Sequence, residues 1–238
     1  NIASQYINFY HGVVNMTFGA NTYTDSGALL YSTEYPCYHE VTGITFSRNY
    51  TIVVNQAVLP VTEYYVPYVG AYTPLVFVDL SVNDTAAILN LNQQGNNWFF
   101  SVVGSVRQNS SKLKIYGSLQ NNSISGNGIV VTSSTGTINF NSSLNPLWIN
   151  EVFSFGPVTI TSSSGWSQIS GTLTSNYNTP IFTCSMLGRY NNPIQSSVTI
   201  MGIKRHSSNY WSTFPISDGS TLASASIGGY TMLVANYV

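Results

Sequence analysis

Along most of the chain apolar and polar residues alternate, or Val, Ile, Tyr, Phe and Thr gather in short runs. Almost nowhere do apolar residues recur at the spacing of a helix face. The pattern predicts strands over 43–54, 75–82, 98–106, 112–119 and 128–132, and again over 147–155, 167–174, 181–187, 197–204 and 229–237. Turn chemistry separates them. Gln93-Gln94-Gly95-Asn96-Asn97, Gly126-Asn127-Gly128, Ser162-Ser163-Ser164-Gly165 and Asp218-Gly219-Ser220 are built from residues that tolerate sharply bent backbone. Many short strands at near-regular spacing predict an all-β fold, an antiparallel β-sandwich of Ig-like type. The 238 residues contain no convincing linker, so one head domain is expected over 23–238, preceded by an extended tail over 1–22.

That tail carries an unusual stretch. Residues 7–20 read INFYHGVVNMTFGA, and no charged residue occurs before Asp25. On an extended chain Tyr10, Gly12, Val14, Met16 and Phe18 share one alternation. Ile7, Phe9 and Val13 fall on the other, so both faces need cover. Such a strand either pairs within its own sheet or completes the sheet of a neighbour. Gly12 interrupts the row where a neighbouring backbone has room to approach, and Asn15 lies opposite Val14 and Met16. A strand exchanged head to tail, without closing a ring, makes a filament.

Charge then narrows the field. Asp, Glu, Lys and Arg make up 6 % of the chain, against roughly 25 % in ordinary soluble domains. Seven basic and eight acidic residues cannot build the basic face that nucleic acid requires. Polarity comes instead from 25 Asn, 33 Ser and 23 Thr. A surface of that kind barely changes its ionisation with pH, which suits an exposed, acidic, extracellular setting. The chain starts at Asn1 rather than Met, as expected after removal of a leader. No apolar run approaches the length of a membrane span. Six Asn-x-Ser/Thr triplets stand at Asn15, Asn49, Asn83, Asn109, Asn121 and Asn141; this abundance of Asn, Ser and Thr yields about six by chance. N-linked glycans are the expected adducts, and no cofactor is expected.

Candidate chemistry is sparse. Cys37 and Cys184 form one disulfide if the compartment is oxidising, with two buried thiols as the alternative. The stretch STEYPCYHE brings together Glu34, Cys37, His39 and Glu40, metal-ligand types without metal-site spacing, so no metal is expected. Glu34, Glu40, Glu63, Asp79, Asp84 and Glu151 are the carboxylates from which a glycosidase pair would be drawn, and none stands in a supporting motif. GxSxG is missing, and His11 and His206 sit in the tail and in a short basic turn, so no enzyme is expected. The segment EYYVPYVGAYTP, residues 63–74, holds Tyr64, Tyr65, Tyr68 and Tyr72 between proline and glycine. These tyrosines, in a loop, are expected to cover one edge of the sandwich; the alternative is that their faces stack on sugars or on partner proteins.

The row Tyr10-Gly12-Val14-Met16-Phe18 resembles the donor strand of chaperone–usher pilins, and the C-terminal GGYTMLVANYV is similar to their last strand. Those pilins are smaller, and their disulfide joins cysteines much closer in sequence than Cys37 and Cys184. In composition, size, triplets and tail the whole chain looks more like the thread pilins of thermoacidophilic archaea. The resemblance implies a secreted, glycosylated cell-surface filament subunit whose partners are identical copies, joined by donor-strand complementation. A carbohydrate-binding adhesin or virion surface protein, making sugar contacts through the tyrosine segment, is the alternative, and a secreted hydrolase the third reading.

Overall fold

The computed structural model describes residues 21–23, 29–32, 37–54, 57–70, 72–118, 130–132, 138–141, 144–161, 169–174, 177, 179–185, 188–192, 197–217, 224–227 and 229–236. Its strands are, in chain order, β1 (Asn21–Tyr23), β2 (Leu29–Ser32), β3 (Tyr38–Val41), β4 (Thr45–Val54) and β5 (Ala57–Pro67). Next come β6 (Leu75–Asp79), β7 (Thr85–Gln94), β8 (Asn97–Val103), β9 (Leu113–Ser118) and β10 (Val130–Thr132). Then follow β11 (Ile138–Asn141), β12 (Ile149–Phe155), β13 (Val158–Thr161), β14 (Ser170–Thr172) and β15 (Pro180–Phe182). The last are β16 (Gly188–Asn192), β17 (Ser197–Arg205), β18 (Tyr210–Ser217), β19 (Ser224–Ile227) and β20 (Tyr230–Asn236). Among the described residues the only helical piece is a 3₁₀ turn at Ser110–Lys112. No helix there is long and apolar enough to cross a membrane.

Every segment expected from alternation contains a strand. Three long strands were hidden from that reading: β5, β7 and β18. Two of them contain proline in their interior, which normally argues against a strand. Topology explains the exception. Pro60 pairs with Thr51 of β4 at a point where the β5–β8 ladder, which spans Thr62–Pro67, has not begun. Pro215 pairs with Met201 of β17, beyond the three residues where β14 flanks β18. Among the described residues each proline therefore has a ladder on one side only, and a missing N–H costs nothing where it faces the other side.

Two antiparallel sheets pack face to face as a β-sandwich. The first runs β12-β20-β15-β6-β9-β3; the second runs β14-β18-β17-β7-β8-β5-β4, with β16 also pairing β17. The inward faces meet in the main core. Val76, Val78, Leu113, Ile115, Phe182, Met232 and Val234 from the first sheet pack against Tyr64, Val66, Phe100, Val102, Ile88, Met201, Ile203 and Trp211 from the second. The sheets are also joined where Ile88 N–H donates to Cys184 O at 2.6 Å. Beside that link β7 carries a bulge between Leu89 and Leu91, with Asn90 at φ 47.

The outer face of the first sheet is apolar too. Phe77, Tyr116, Ile181 and Ala235 are buried there, with Tyr38, Leu75, Leu147 and Leu233 against them. What encloses them is the sheet itself. Leu147 N–H donates to Tyr38 O on β3, and Glu40 N–H to Asn145 O, while Ile149 already stands opposite Ala235 of β20. In a flat sheet β3 and β20 lie four strand spacings apart, about 19 Å, yet the two residues from Leu147 to Ile149 reach only about 7 Å. The sheet must therefore roll until one segment, 145–155, which includes β12, is shared by both of its ends. The second sheet coils as well: β17 touches β4 and β5, which are not its ladder neighbours. Leu59, Val61, Ala87, Leu89, Val103, Ile200 and Ile216 are buried in that bend.

Phe77, 0 % exposed, fills the inside of the roll. Phe77→Ala should cost about 3–5 kcal/mol in denaturant unfolding, whereas Val152→Ala on the exposed part of β12 should stay within about 0.5 kcal/mol. Equal costs would contradict the rolled sheet.

Candidate strand-pairing edge

Because Asn139, Asn145, Pro146 and Leu147 pair along β3 and the residue before it, the first sheet offers little free edge at that end. β20, the counterpart of the pilin-like last strand, is interior, with β12 on one side and β15 on the other. The second sheet ends on β14, three residues long, and on β4, ten residues long. Among the described residues β4 pairs only with β5, and its ten-residue outer edge has no ladder partner there.

Its sequence, TFSRNYTIVV, is rich in β-branched and aromatic residues and holds a single charge. That charge is already engaged: Arg48 Nε and Nη2 donate to Glu63 Oε1 and Oε2 at 3.0 and 3.2 Å, and Ser47 Oγ donates to Glu63 Oε1 at 3.0 Å. A bulge between Phe46 and Arg48 lets both Ser47 and Arg48 reach the carboxylate. Edge strands are normally guarded by free charge or proline, and β4 has neither. It exposes apolar surface instead, at Phe46 and Val53, with Val58 at the other side of the same hairpin; Val53 is 56 % accessible.

Among the described residues the other candidates are not brought together. Among the described residues no group of three His, Cys, Asp or Glu side chains is placed to hold a metal. Four of the described carboxylates are committed elsewhere, and the fifth, Asp79, ends β6 near Arg205. Glu40 faces Lys114 at 3.7 Å and accepts from Asn145, Glu63 is bound by Arg48, and Asp84 is paired with Lys112. Burial pushes Asp84 up, but the bonds from Lys112, Ser81 and Ser105 outweigh it and hold the carboxyl below its usual range. Glu151 Oε1 accepts from Thr174 N, Thr174 Oγ1 and Tyr177 Oη at 2.8–2.9 Å. Arg205, 8 % exposed, gives its guanidinium to the carbonyls of Leu80, Ser207 and Ser208. His206 Nε2 lies 2.7 Å from Ser212 Oγ, but Ser212 is buried. Burial and then Lys204 lower the His206 pKa, so no carboxylate supports it as a base.

The tyrosine segment is not a loop of exposed rings. Tyr64 and Tyr68 are buried in the main core, Tyr64 Oη donating to Arg107 O and Tyr68 Oη to Ser118 O. Only Tyr72 is well exposed, and Tyr65 is half-buried on β5. Alternation along β5 buries every second residue, which the sequence reading as a loop could not anticipate.

The remaining expected sites divide as follows. Tyr10, Gly12, Val14, Met16, Phe18, Asn15 and Asn121 lie outside the described residues, as does Glu34. Asn49, Asn83 and Asn109 are exposed. Asn83 has φ 73 in a turn, and Asn109 caps the 3₁₀ turn, its Oδ1 accepting from Ser111 N and Oγ. Asn141 is buried at 4 % exposure, so the folded chain leaves no room for a glycan there. Its N–H donates to His39 Nε2 at 3.2 Å. The expected disulfide is absent: both cysteines are free, Cys184 buried and Cys37 half-buried. Cys37 precedes β3 and Cys184 follows β15, with β6 and β9 between those strands. Three strand spacings, about 14 Å, exceed what a disulfide spans. Burial pushes both thiols up.

Fold and edge thus define an all-β sandwich protein whose longest sheet edge among the described residues is β4. Compared with protein-family models, curated proteins and solved structures, the chain matches none.

Unfolded protein should react with two equivalents of a thiol reagent and native protein with at most one, at Cys37; no reaction after unfolding would show a bridge. A second expectation concerns pH. His39 is 0 % exposed, and burial lowers its pKa below 6.5 against the smaller opposing effects of the Cys37 and Asn141 backbone. Below pH 6.5 the unfolded imidazole holds more protons than the folded one. Its contribution is full above 6.5 and is lost as pH falls toward the native value, with a slope of at most about 1.4 kcal/mol per pH unit. His39→Gln should flatten the fall in stability between pH 6.5 and 5; an unchanged slope would assign it to other groups.

Proposed function

We propose that this protein is a structural subunit of an extracellular filament, in which residues 10–18 of one copy pair along the β4 edge of the next. One observation carries the reading. A ten-residue edge has no described partner and no free charge, while the same chain contains an uncharged alternating segment of matching length. β-Strand addition needs both parts: ladder groups on one side and a strand able to run beside them. The partner is an identical subunit, and a head-to-tail contact that does not close propagates without limit. The four large side chains Tyr10, Val14, Met16 and Phe18 add about 1.5–3 kcal/mol each when buried, before the cost of association.

The scarcity of charge and the exposed Asn49, Asn83 and Asn109 triplets support a secreted, glycosylated protein. A glycan on Asn49 is compatible with pairing, because side chains stand off the faces of a strand and not along its edge. The Asn49 amide leans toward β5, accepting from Thr62 Oγ1 at 2.9 Å.

Negative-stain microscopy tests the reading. Deletion of residues 1–20 should abolish filaments while leaving folded monomers; filaments that persist would end the proposal. Thr51→Lys and Val53→Lys place charge on the exposed edge and should also prevent assembly without lowering thermal stability. Filaments lost on deletion but intact in both lysine variants would show that the acceptor is not β4.

A further inference from the structure

The outer face of the second sheet changes character along its strands. Near the bend Val61 and Val103 are buried. Further along, Glu63 pairs with Ser101 in the β5–β8 ladder, and Arg48 pairs with Glu63 from β4. The next row on the same face reads Thr45, Tyr65, Phe99 and Asn92 across β4, β5, β8 and β7. The last reads Pro67, Asn97 and Gln94. In the middle of this surface the Tyr65 and Phe99 rings lie 5.5 Å apart at 32°, forming a shallow aromatic shelf.

The rim of the shelf is polar and available. Asn92 and Gln94 are exposed, Asn97 is half-exposed, and the Arg48 side chain is 66 % accessible. Neither the Tyr65 hydroxyl nor the amides of Asn92, Gln94 and Asn97 make a side-chain hydrogen bond to another described residue. By contrast Gln93, on the opposite face, donates to Gly95 O.

We propose that this shelf binds a neutral saccharide. A pyranose has one face of C–H bonds and a rim of hydroxyls. The C–H face suits the electron-rich faces of Tyr65 and Phe99, and the hydroxyls find planar amides that both donate and accept. The Arg48–Glu63 fork adds donors and acceptors with no net charge. Charge complementarity selects the ligand: an acidic polysaccharide or nucleic acid needs an unpaired cation, and the only cation in these rows is occupied by Glu63. An apolar protein surface would leave the rim amides buried without partners. The shelf lies on the face of the sheet and uses none of the edge ladder of β4, so it stands apart from polymerisation.

The full chain, labelled and applied to an array of neutral gluco-, manno-, galacto- and N-acetylglucosamine oligosaccharides, should bind at least one class. Titration with that oligosaccharide should show a loss of about tenfold or more for Tyr65→Ala and for Phe99→Ala. Tyr65→Phe keeps the ring and should retain most of the affinity. Asn92→Ala and Gln94→Ala change exposed side chains without described partners, so the fold survives, and each should weaken binding severalfold. No binding to any neutral oligosaccharide, binding confined to acidic sugars, or affinity unchanged by Phe99→Ala and by the two amide variants would overturn the proposal. Array binding is read whether or not the chain polymerises, so its failure is distinct from loss of filaments.

Discussion

The structure depends on one constraint: strands that are apolar on both faces must be covered on both. In β6, Val76 and Val78 point one way and Phe77 the other, and all three are buried. In β20, Met232 and Val234 face the second sheet while Ala235 faces inward to the roll. A two-layer sandwich covers only one face of each sheet. Here the second face is covered by curvature. The first sheet rolls onto segment 145–155, and the second bends β4 and β5 toward β17. The result, among the described residues, is three apolar clusters, one between the sheets and one inside each curved sheet.

Scarce charge is spent on holding connections in place. Glu151 ties β12 to Thr174 and Tyr177, Asp84 with Lys112 ties the start of β7 to the 3₁₀ turn, and Arg205 clamps three carbonyls from two segments. Buried or half-buried charge that is fully hydrogen-bonded specifies geometry more than it adds stability. One consequence is functional. The single charge of β4, Arg48, is paired with Glu63, so the strand holds no free charge to repel another strand. A surface of this kind offers acid few carboxylates, and buried His39, whose Nε2 accepts a backbone N–H, loses that acceptor when protonated.

Much of the strand content was legible, because alternation and turn residues are local signals. β4, β9, β12, β17 and β20 lie close to where Val, Ile, Thr and aromatic spacing put them. β5 and β18 were hidden because Pro60 and Pro215 read as breakers until the ladders show which side of each proline is unpaired. Tyr64, Tyr65 and Tyr68 looked alike in sequence, yet Tyr65 alone shares a face with Phe99, from a strand more than thirty residues away. Sequence likewise left Cys37 and Cys184 with two outcomes, and the three strand spacings between them decide it.

By itself the sequence determined an all-β chain with almost no charge, a polar surface of Asn, Ser and Thr, and an apolar alternating segment at residues 10–18. These follow from composition and from periodicity, which act over a few residues. Only the tertiary structure decided which strands became edges, which cysteine and asparagine side chains were enclosed, and which aromatic rings met. Those depend on pairings between distant segments, and strand order is set by how two apolar faces find cover, a condition no local window contains.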